Sequence, residues 1–180
     1  AAAQMGGLDV LVVNHGIYEE TPFDDTDSEV WAASFERVLR VNLHAPAIAA
    51  HRAAKHMVQS RESDGAIVFV SSRGAFRGEP TAPAYGASKA GLNQLSQSAA
   101  KALAPSNVVV GVVAPGFVDT AMAAEVLAGE RGDAIRGDSP FNRVASVEEV
   151  AEAVLYFTNT DAKWSSGAII DVNGASYLRS

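Results

Sequence analysis

A tyrosine and a lysine stand four residues apart in the segment Tyr85-Gly86-Ala87-Ser88-Lys89. On a helix this spacing puts the two side chains on one face, with Cβ atoms about 5–6 Å apart. A free phenol titrates at about pH 10, so tyrosine alone exchanges protons poorly at neutral pH. An ammonium about 6 Å away, at an effective dielectric of about 20, favours the phenolate by about 3 kcal/mol. The pair therefore predicts a tyrosine adapted to proton transfer, although a surface pair without chemistry has the same spacing.

Ser72 follows an apolar run and lies thirteen residues before Tyr85. Open α/β sheets place their sites at the carboxyl ends of parallel strands, and this run ends at such a position. The loop 73–82 is long enough to let the Ser72 hydroxyl and the Tyr85 phenol converge on one carbonyl oxygen. The alternative is a hydroxyl that ends a strand and has no further role.

Two further segments carry residue types that suit a site. Asn42 lies in the middle of a predicted helix, where asparagine is a slightly poor helix former and a solvent-facing side chain is the ordinary outcome. The segment Pro115–Thr120 begins with a Pro-Gly pair that interrupts regular structure. Such a pair lets backbone approach a ligand closely.

Four short runs rich in valine and isoleucine predict the strands that position these residues: Leu8–Val13, Ala66–Val70, Val108–Val113 and Ala168–Val172. Each run barely alternates between apolar and polar residues, which is typical of strands buried on both faces.

Helical spacing fills the stretches between these runs and predicts helices over residues 26–59, 83–104 and 146–157. Thr26 and Ser146 each begin a capping box with a glutamate three residues later, and Pro83 suits a first helical turn. Strands that alternate with helices predict an α/β fold with a doubly wound, Rossmann-like parallel sheet. No linker or repeat interrupts the chain, so residues 1–180 are predicted to form one domain.

The composition excludes several classes of protein. The 180 residues include 14 basic and 21 acidic side chains and no cysteine. Without cysteine there are no disulfides and no thiolate-bound metals, which favours a cytoplasmic location. The net charge of -7 argues against nucleic acid and against an anionic membrane surface as partners. No apolar run approaches the roughly 20 residues that span a bilayer.

Taken together, these motifs resemble the short-chain dehydrogenase/reductase family, and the resemblance covers essentially the whole chain. Four residues fall where the family keeps its catalytic tetrad, and these residues are called the tetrad below: Asn42, Ser72, Tyr85 and Lys89. The segment Val12–Ile17 is similar to the family's Asn-Ala-Gly segment after its fourth strand, with His15 in place of the usual alanine. The segment Ser166–Gly174 resembles the family's last strand and turn.

The resemblance implies a role for each residue. Tyr85 would be the proton donor in carbonyl reduction and the base in alcohol oxidation, with Ser72 holding the substrate oxygen. Lys89 would lower the pKa of Tyr85 and bind the nicotinamide ribose, and the backbone of Asn42 would hold a relay water in a bulged helix. The remaining cofactor contacts are implied at Asn14, Gly16, Pro115, Gly116, Val118 and Thr120. The substrate pocket is expected around Gly78-Glu79-Pro80 and in the stretch 121–140.

One family motif is missing from the sequence. No Gly-x-x-x-Gly-x-Gly turn, which cradles the pyrophosphate at a helix N-terminus, precedes Leu8. The chain begins just before the family's fourth strand, so we expect a truncated, C-terminal portion of the family fold. The residue that selects NAD or NADP lies in the family's first half, and the choice between the two cofactors therefore stays open.

Three hypotheses follow for the function. The first is an NAD(P)-dependent oxidoreductase that interconverts an alcohol and a carbonyl of a small molecule. The second is a truncated, non-catalytic member of the family that acts as an oligomerisation or binding module. The third is a hydrolase or isomerase that uses Ser72, Tyr85 and Lys89 without a dinucleotide.

The resemblance also leads to an expectation about assembly. In the family the strand that corresponds to Leu8–Val13 is interior, whereas its neighbour is absent from this chain. An apolar strand with unpaired backbone groups invites pairing with another chain. We therefore expect that the chain is not a stable monomer: either two copies pair through Leu8–Val13 in a homo-oligomer, or the strand keeps the N-terminal half of the family fold bound. The helices around residues 41–57 and 85–103 should supply a second dimer surface.

Overall fold

Four parallel strands form the sheet of the computed structural model, which describes residues 4, 7–60 and 64–179. The strands are β1 (Val10–Val13), β2 (Gly65–Val70), β3 (Val108–Pro115) and β4 (Ile169–Val172), and they lie in the order β1-β2-β3-β4. Every neighbouring pair is parallel, as predicted. All four carboxyl ends therefore meet at one edge of the sheet.

Helices connect these strands. They are α1 (Ser28–Leu39), α2 (Ala45–Ser60), α3 (Pro83–Leu103), α4 (Ala124–Ala128), α5 (Gly132–Gly137) and α6 (Val147–Thr158). A π-helical segment, Arg40–His44, joins α1 to α2, and short 3-10 turns lie at Arg73–Ala75, Ala104–Ser106 and Thr160–Ser165. None of the described helices is both long and apolar enough to cross a bilayer.

The helices cover both faces of the sheet, which confirms the doubly wound arrangement. On one face, α2 and α3 pack against the strands, and Leu92 and Phe69 are almost completely buried there. On the other face, α6 contributes Phe157 to a cluster that includes Val68. A Cβ atom at Gly111 of β3 would lie 2.3 Å from the Phe157 ring. Glycine at this position therefore lets α6 approach the sheet.

One of the two predicted capping boxes is wrong. Asp27, and not Thr26, caps α1, because its carboxylate accepts hydrogen bonds from the backbone N–H groups of Glu29 and Val30. The aspartate lies one position nearer to the helix, where its oxygen reaches those two donors. The other prediction is confirmed: Ser146 and Glu149 form a reciprocal capping box at the start of α6.

The prediction that all four strands are buried on both faces holds for β2 and β3 only. In β1, Val13 is buried, whereas Val10 and Val12 are 40% and 43% exposed. The residues of β4 are at most partly buried. The difference arises because β1 and β4 are the outer strands of the described sheet and α6 packs mainly over β2 and β3.

Candidate active site

Tyr85 and Lys89 lie on the first two turns of α3, which begins at Pro83 near the carboxyl end of β2. The Lys89 Nζ atom lies 5.7 Å from the centroid of the Tyr85 ring, so the two side chains share one helix face as their spacing predicts. Lys89 is only 4% exposed, and its Nζ donates a hydrogen bond to the backbone oxygen of Val70 at 2.9 Å. The ammonium is therefore held between the phenol and the end of β2.

Ser72 stands where the chain leaves β2 and enters the 3-10 turn Arg73–Ala75. Its backbone is extended, and its Oγ accepts a hydrogen bond from the Gly74 N–H at 3.0 Å. The Ser72 hydroxyl lies near enough to Tyr85 to lower the pKa of the phenol by hydrogen bonding. The loop between them thus brings the hydroxyl and the phenol together, as the sequence predicts.

Asn42 does not face solvent, contrary to the ordinary expectation for a mid-helix asparagine. It is fully buried in the π-helical segment Arg40–His44, which interrupts the single helix predicted over residues 26–59. Its amide bonds both backbone groups of Ile17, accepting from the N–H at 2.8 Å and donating to the oxygen at 2.9 Å. It also donates to Ser88 Oγ at 3.2 Å. Asn42 therefore ties the loop after β1 to α3, and the bulge implied by the family resemblance is present.

Gly16 lies against the tetrad. A Cβ atom at this position would stand 3.4 Å from Asn42 Oδ1 and 3.5 Å from Lys89 Nζ. Asn14, two residues earlier, is exposed. The loop after β1 thus brings Gly16 to Asn42 and Lys89 and leaves Asn14 at the surface.

The segment Pro115–Thr120 leaves β3 at the same edge of the sheet. The Gly116 N–H donates to Val172 O at 3.0 Å, and Val118 forms a parallel bridge with Ala145. Thr120 is exposed, and its hydroxyl donates to Val118 O at 3.4 Å. These contacts hold the segment against β4 and residue 145, whereas the tetrad is assembled from α3, the π-helical segment and the end of β2.

The predicted direction of the Tyr85 pKa is wrong for this structure. Burial raises the pKa of the phenol above its ordinary value of 10.0, the hydrogen bond with Ser72 lowers it, and the Glu79 carboxylate raises it. Burial also lowers the pKa of Lys89 to about 8. The prediction considered only the attraction between phenolate and ammonium, whereas removal from water disfavours the charged form of both groups.

Tyr18 was missed by sequence reasoning. Its ring meets the Tyr85 ring edge-on at 5.2 Å between centroids, and its hydroxyl lies 3.4 Å from both Glu20 Oε1 and Thr81 Oγ1. The backbone of the same loop is fixed by a hydrogen bond from Thr21 N to Thr81 O at 2.7 Å. No spacing rule links residue 18 to residue 85, because the contact depends on how two loops fold over one strand edge.

The stretch 121–140, which was expected to shape the substrate pocket, contains α4 and α5. Leu127 and Ile135 are buried in a small cluster beside Phe117. A cavity of about 410 Å³ is lined in part by Ile135 of this unit and by Asn173 in the segment after β4. Arg73, the neighbour of Ser72, forms part of the cavity wall. The Arg73 guanidinium forms an ion pair with the Asp138 carboxylate at 3.1 Å.

Sequence comparison relates this chain to oxidoreductases. The sequence model of a family described as enoyl-(acyl carrier protein) reductase matches residues 1–175. The chain is 39% identical to a cis-4-hydroxycyclohexanecarboxylate dehydrogenase of Sinomonas cyclohexanicum, and the match covers 97% of this chain and 68% of the relative. It is 37% identical to a 3-oxoacyl-(acyl-carrier-protein) reductase of Aquifex aeolicus, over 95% of this chain and 66% of that protein.

Two solved structures share the fold. One is assigned as an NAD(P)-dependent gluconate 5-dehydrogenase from Beutenbergia cavernae and contains NADP at low occupancy; it matches with a TM-score of 0.85 and 30% identity over 93% of this chain and 66% of its own. The other is assigned as a 2-deoxy-D-gluconate 3-dehydrogenase from Agrobacterium tumefaciens and contains NADP; its TM-score is 0.88 at 28% identity, over 97% of this chain and 70% of its own. The chain thus spans about two thirds of the length of these relatives.

Proposed function

Because this chain belongs to the short-chain dehydrogenase/reductase family, we propose that it carries the catalytic residues of an NAD(P)-dependent oxidoreductase that interconverts an alcohol and a carbonyl. The observation that supports this proposal most directly is the position of buried Lys89, whose Nζ lies 5.7 Å from the centroid of the Tyr85 ring. Ser72 also acts on this phenol, because a hydrogen bond with it lowers the pKa of Tyr85. Two hydroxyl groups beside one ammonium suit a substrate oxygen that gains or loses a proton.

The residues present fit a nicotinamide cofactor. A Cβ atom at Gly16 would occupy the space beside Asn42 and Lys89, so glycine keeps this side of the tetrad open. Lys89 and Tyr85 would hold the nicotinamide ribose, and Asn14 and Gly16 would line the adenosine side. The segment Pro115–Thr120 would bind the carboxamide through Val118 and Thr120. When bound, the dinucleotide supplies or accepts the hydride.

The proton chemistry belongs to the tetrad. In carbonyl reduction, Ser72 would donate a hydrogen bond to the substrate oxygen while Tyr85 gives that oxygen its proton. In alcohol oxidation, Tyr85 would take the proton back as the phenolate. Lys89 stabilises the phenolate by its charge, and Asn42 positions the neighbouring loop through Ile17.

The same geometry supports a small alcohol or carbonyl compound as the substrate class, because two hydroxyl groups can address one oxygen. The names of the relatives suggest a panel of test compounds: a hydroxycyclohexanecarboxylate, a sugar acid and a 3-oxoacyl thioester. An enoyl thioester belongs in the panel because the matching family model is described by that reaction.

Replacement of the proposed proton donor tests the mechanism. In the gene product that contains this chain, we expect Tyr85→Phe to lower kcat by roughly 10²–10⁴-fold, since only the proton donor is lost. The Kd for NAD(P)H, measured by fluorescence titration, should change far less than kcat, because Lys89 still holds the ribose. Lys89→Ala should impair both kcat and cofactor affinity, because its ammonium serves the phenol and the ribose.

Tyr156→Phe is the matched control, since Tyr156 is 47% exposed on α6 and its hydroxyl contacts that of Ser165. A parental kcat in Tyr85→Phe would show that the assigned mechanism is wrong. If neither the parent nor the variants turn over any compound of the panel and NAD(P)H does not bind, the non-catalytic binding module becomes the better hypothesis.

A further inference from the structure

Glu79 fills the space between the two segments that carry Ser72 and Tyr85. Its side chain is 15% exposed. A Cβ atom at Gly74, in the turn after Ser72, would lie 2.7 Å from the Glu79 carboxylate. A Cβ atom at Gly86, next to Tyr85, would lie 3.6 Å from the Glu79 side chain. The two glycines thus provide the room in which this carboxylate lies between the two segments.

Arg77 pairs with this carboxylate, and the charge of Glu79 also reaches the buried guanidinium of Arg73. Arg77 Nε lies 3.2 Å from Glu79 Oε1, and its side chain is 35% exposed. Residues 79–82 form a turn just before α3, in which the Ala82 N–H donates a hydrogen bond to the backbone oxygen of Glu79 at 3.1 Å. Glu79 is therefore held in the loop that joins Ser72 to Tyr85 by its side-chain pair with Arg77 and by its backbone bond to Ala82.

The charge of Glu79 reaches the site. Burial is the main reason that the pKa of Tyr85 lies above its ordinary value, and the Glu79 carboxylate raises it further. For Tyr18, whose ring meets that of Tyr85, burial again comes first, and both Glu20 and Glu79 add to the rise in pKa. Glu79 is the carboxylate that acts on both phenols of this pair.

We infer that Glu79 is a positioning residue of the proposed oxidoreductase: it holds the Ser72 and Tyr85 segments together and, with Arg77, sets the electrostatic field in which Tyr85 exchanges its proton. This inference rests on the proposed function for its catalytic meaning. In this proposal Glu79 acts through Tyr85 and through the turn after Ser72.

The groups that face Tyr85 determine the sign of the expected effect. They are Lys89 on α3, Tyr18 on the loop after β1, Ser72 after β2, and Glu79 with its partner Arg77 on the connecting loop. The buried Arg73, next to Ser72, interacts electrostatically with both Glu79 and Arg77. Replacing Glu79 with glutamine removes one negative charge and keeps the shape of the side chain. The phenolate then meets less repulsion, so Tyr85 should ionise at lower pH than in the parent.

Absorbance titration measures this shift without any need for turnover. The difference between the titrations of the parent and of Tyr85→Phe isolates the Tyr85 phenol. For Glu79→Gln, the titration of the double variant Glu79→Gln/Tyr85→Phe is subtracted in the same way. We expect the Tyr85 transition of Glu79→Gln to move to lower pH, and that of Arg77→Gln to move to higher pH because the carboxylate loses its partner.

The pH at which the rate of alcohol oxidation begins to rise should also move, to lower pH in Glu79→Gln and to higher pH in Arg77→Gln. Glu36→Gln is the matched control, since this carboxylate is 73% exposed on α1 and pairs with Arg40. Should Glu79→Gln fail to fold, the opposite shift in Arg77→Gln still decides the matter.

The outcomes separate the two proposals. Unmoved Tyr85 transitions in both variants, or an equal shift in the Glu36→Gln control, would overturn the inference about Glu79 whatever the activity. Shifted transitions together with a fully active Tyr85→Phe would support the coupling of Glu79 to Tyr85 while overturning the proposed mechanism.

Discussion

At the scale of single residues, Lys89 places a charged group where water is almost absent. It is 4% exposed, and burial lowers its pKa from 10.5 to about 8. In the unfolded chain the lysine stays protonated up to its ordinary pKa, whereas the folded chain releases the proton at a lower pH. The unfolded state therefore binds more protons between these two values, and the free energy of unfolding contributed by Lys89 rises with pH across this window.

We expect the parent to gain stability from this residue, of the order of 3 kcal/mol, as pH rises from about 8 towards 10.5. Urea unfolding at several pH values measures the effect. Lys89→Met is the comparison, because it keeps the length of the side chain and removes the titrating group. If the parent and this variant show the same dependence on pH, Lys89 is not destabilised by burial.

At the scale of elements, the start of α1 depends on one side chain. Asp27 accepts two hydrogen bonds from backbone N–H groups of the first turn, at 3.0 and 3.2 Å. We expect Asp27→Ala to lower the free energy of unfolding by about 1 kcal/mol, since two donors lose their partner. Chemical denaturation with an unchanged m-value is the measurement.

Thr26→Ala is the control for this element, because Thr26 is the residue that the sequence pattern alone selects as the cap. Its effect should stay within about 0.5 kcal/mol, as for an ordinary surface substitution. A larger loss for Thr26→Ala than for Asp27→Ala would show that the helix is capped as the sequence pattern predicts.

At the scale of the whole molecule, β1 carries an exposed apolar strip. Val10 and Val12 are 40% and 43% exposed, and in the described sheet β1 pairs only with β2. A short apolar strand with a free edge is prone to pair with another copy. We therefore expect the 180-residue chain by itself to self-associate at micromolar concentration.

Light scattering across a dilution series tests this expectation. Val12→Lys places a charge on the exposed face and should shift the population towards the monomer. A parent that is monomeric at every concentration would show that the β1 edge is protected.

Cofactor affinity is the second property of the whole molecule. The sequence contains no glycine-rich turn before β1, so no such turn in this chain offers a helix N-terminus to the pyrophosphate. We expect the 180-residue chain alone to bind NAD(P) weakly or not at all, although its tetrad is assembled. Titration calorimetry measures the affinity of the isolated chain for NAD(P), and a micromolar Kd would contradict this expectation.

Patterns that extend over a few residues were sufficient for most of the architecture. β2 and β3 were predicted to within two residues at each end, and α3 to within one, because apolar runs and a first-turn proline act locally. Ser146 was predicted as a cap for the same reason. The position of the tetrad at one sheet edge also follows, since parallel strands end on one side.

The sequence by itself therefore determined a parallel sheet, its helices and the group of residues at its carboxyl edge. Only the tertiary structure decided that Asn42 is buried against Ile17, that Tyr18 lies on Tyr85, and that burial raises the pKa of Tyr85. These three results depend on side chains that are distant along the chain and on how much water remains between them. Neither spacing nor residue type contains that information, because desolvation is a property of the packed molecule.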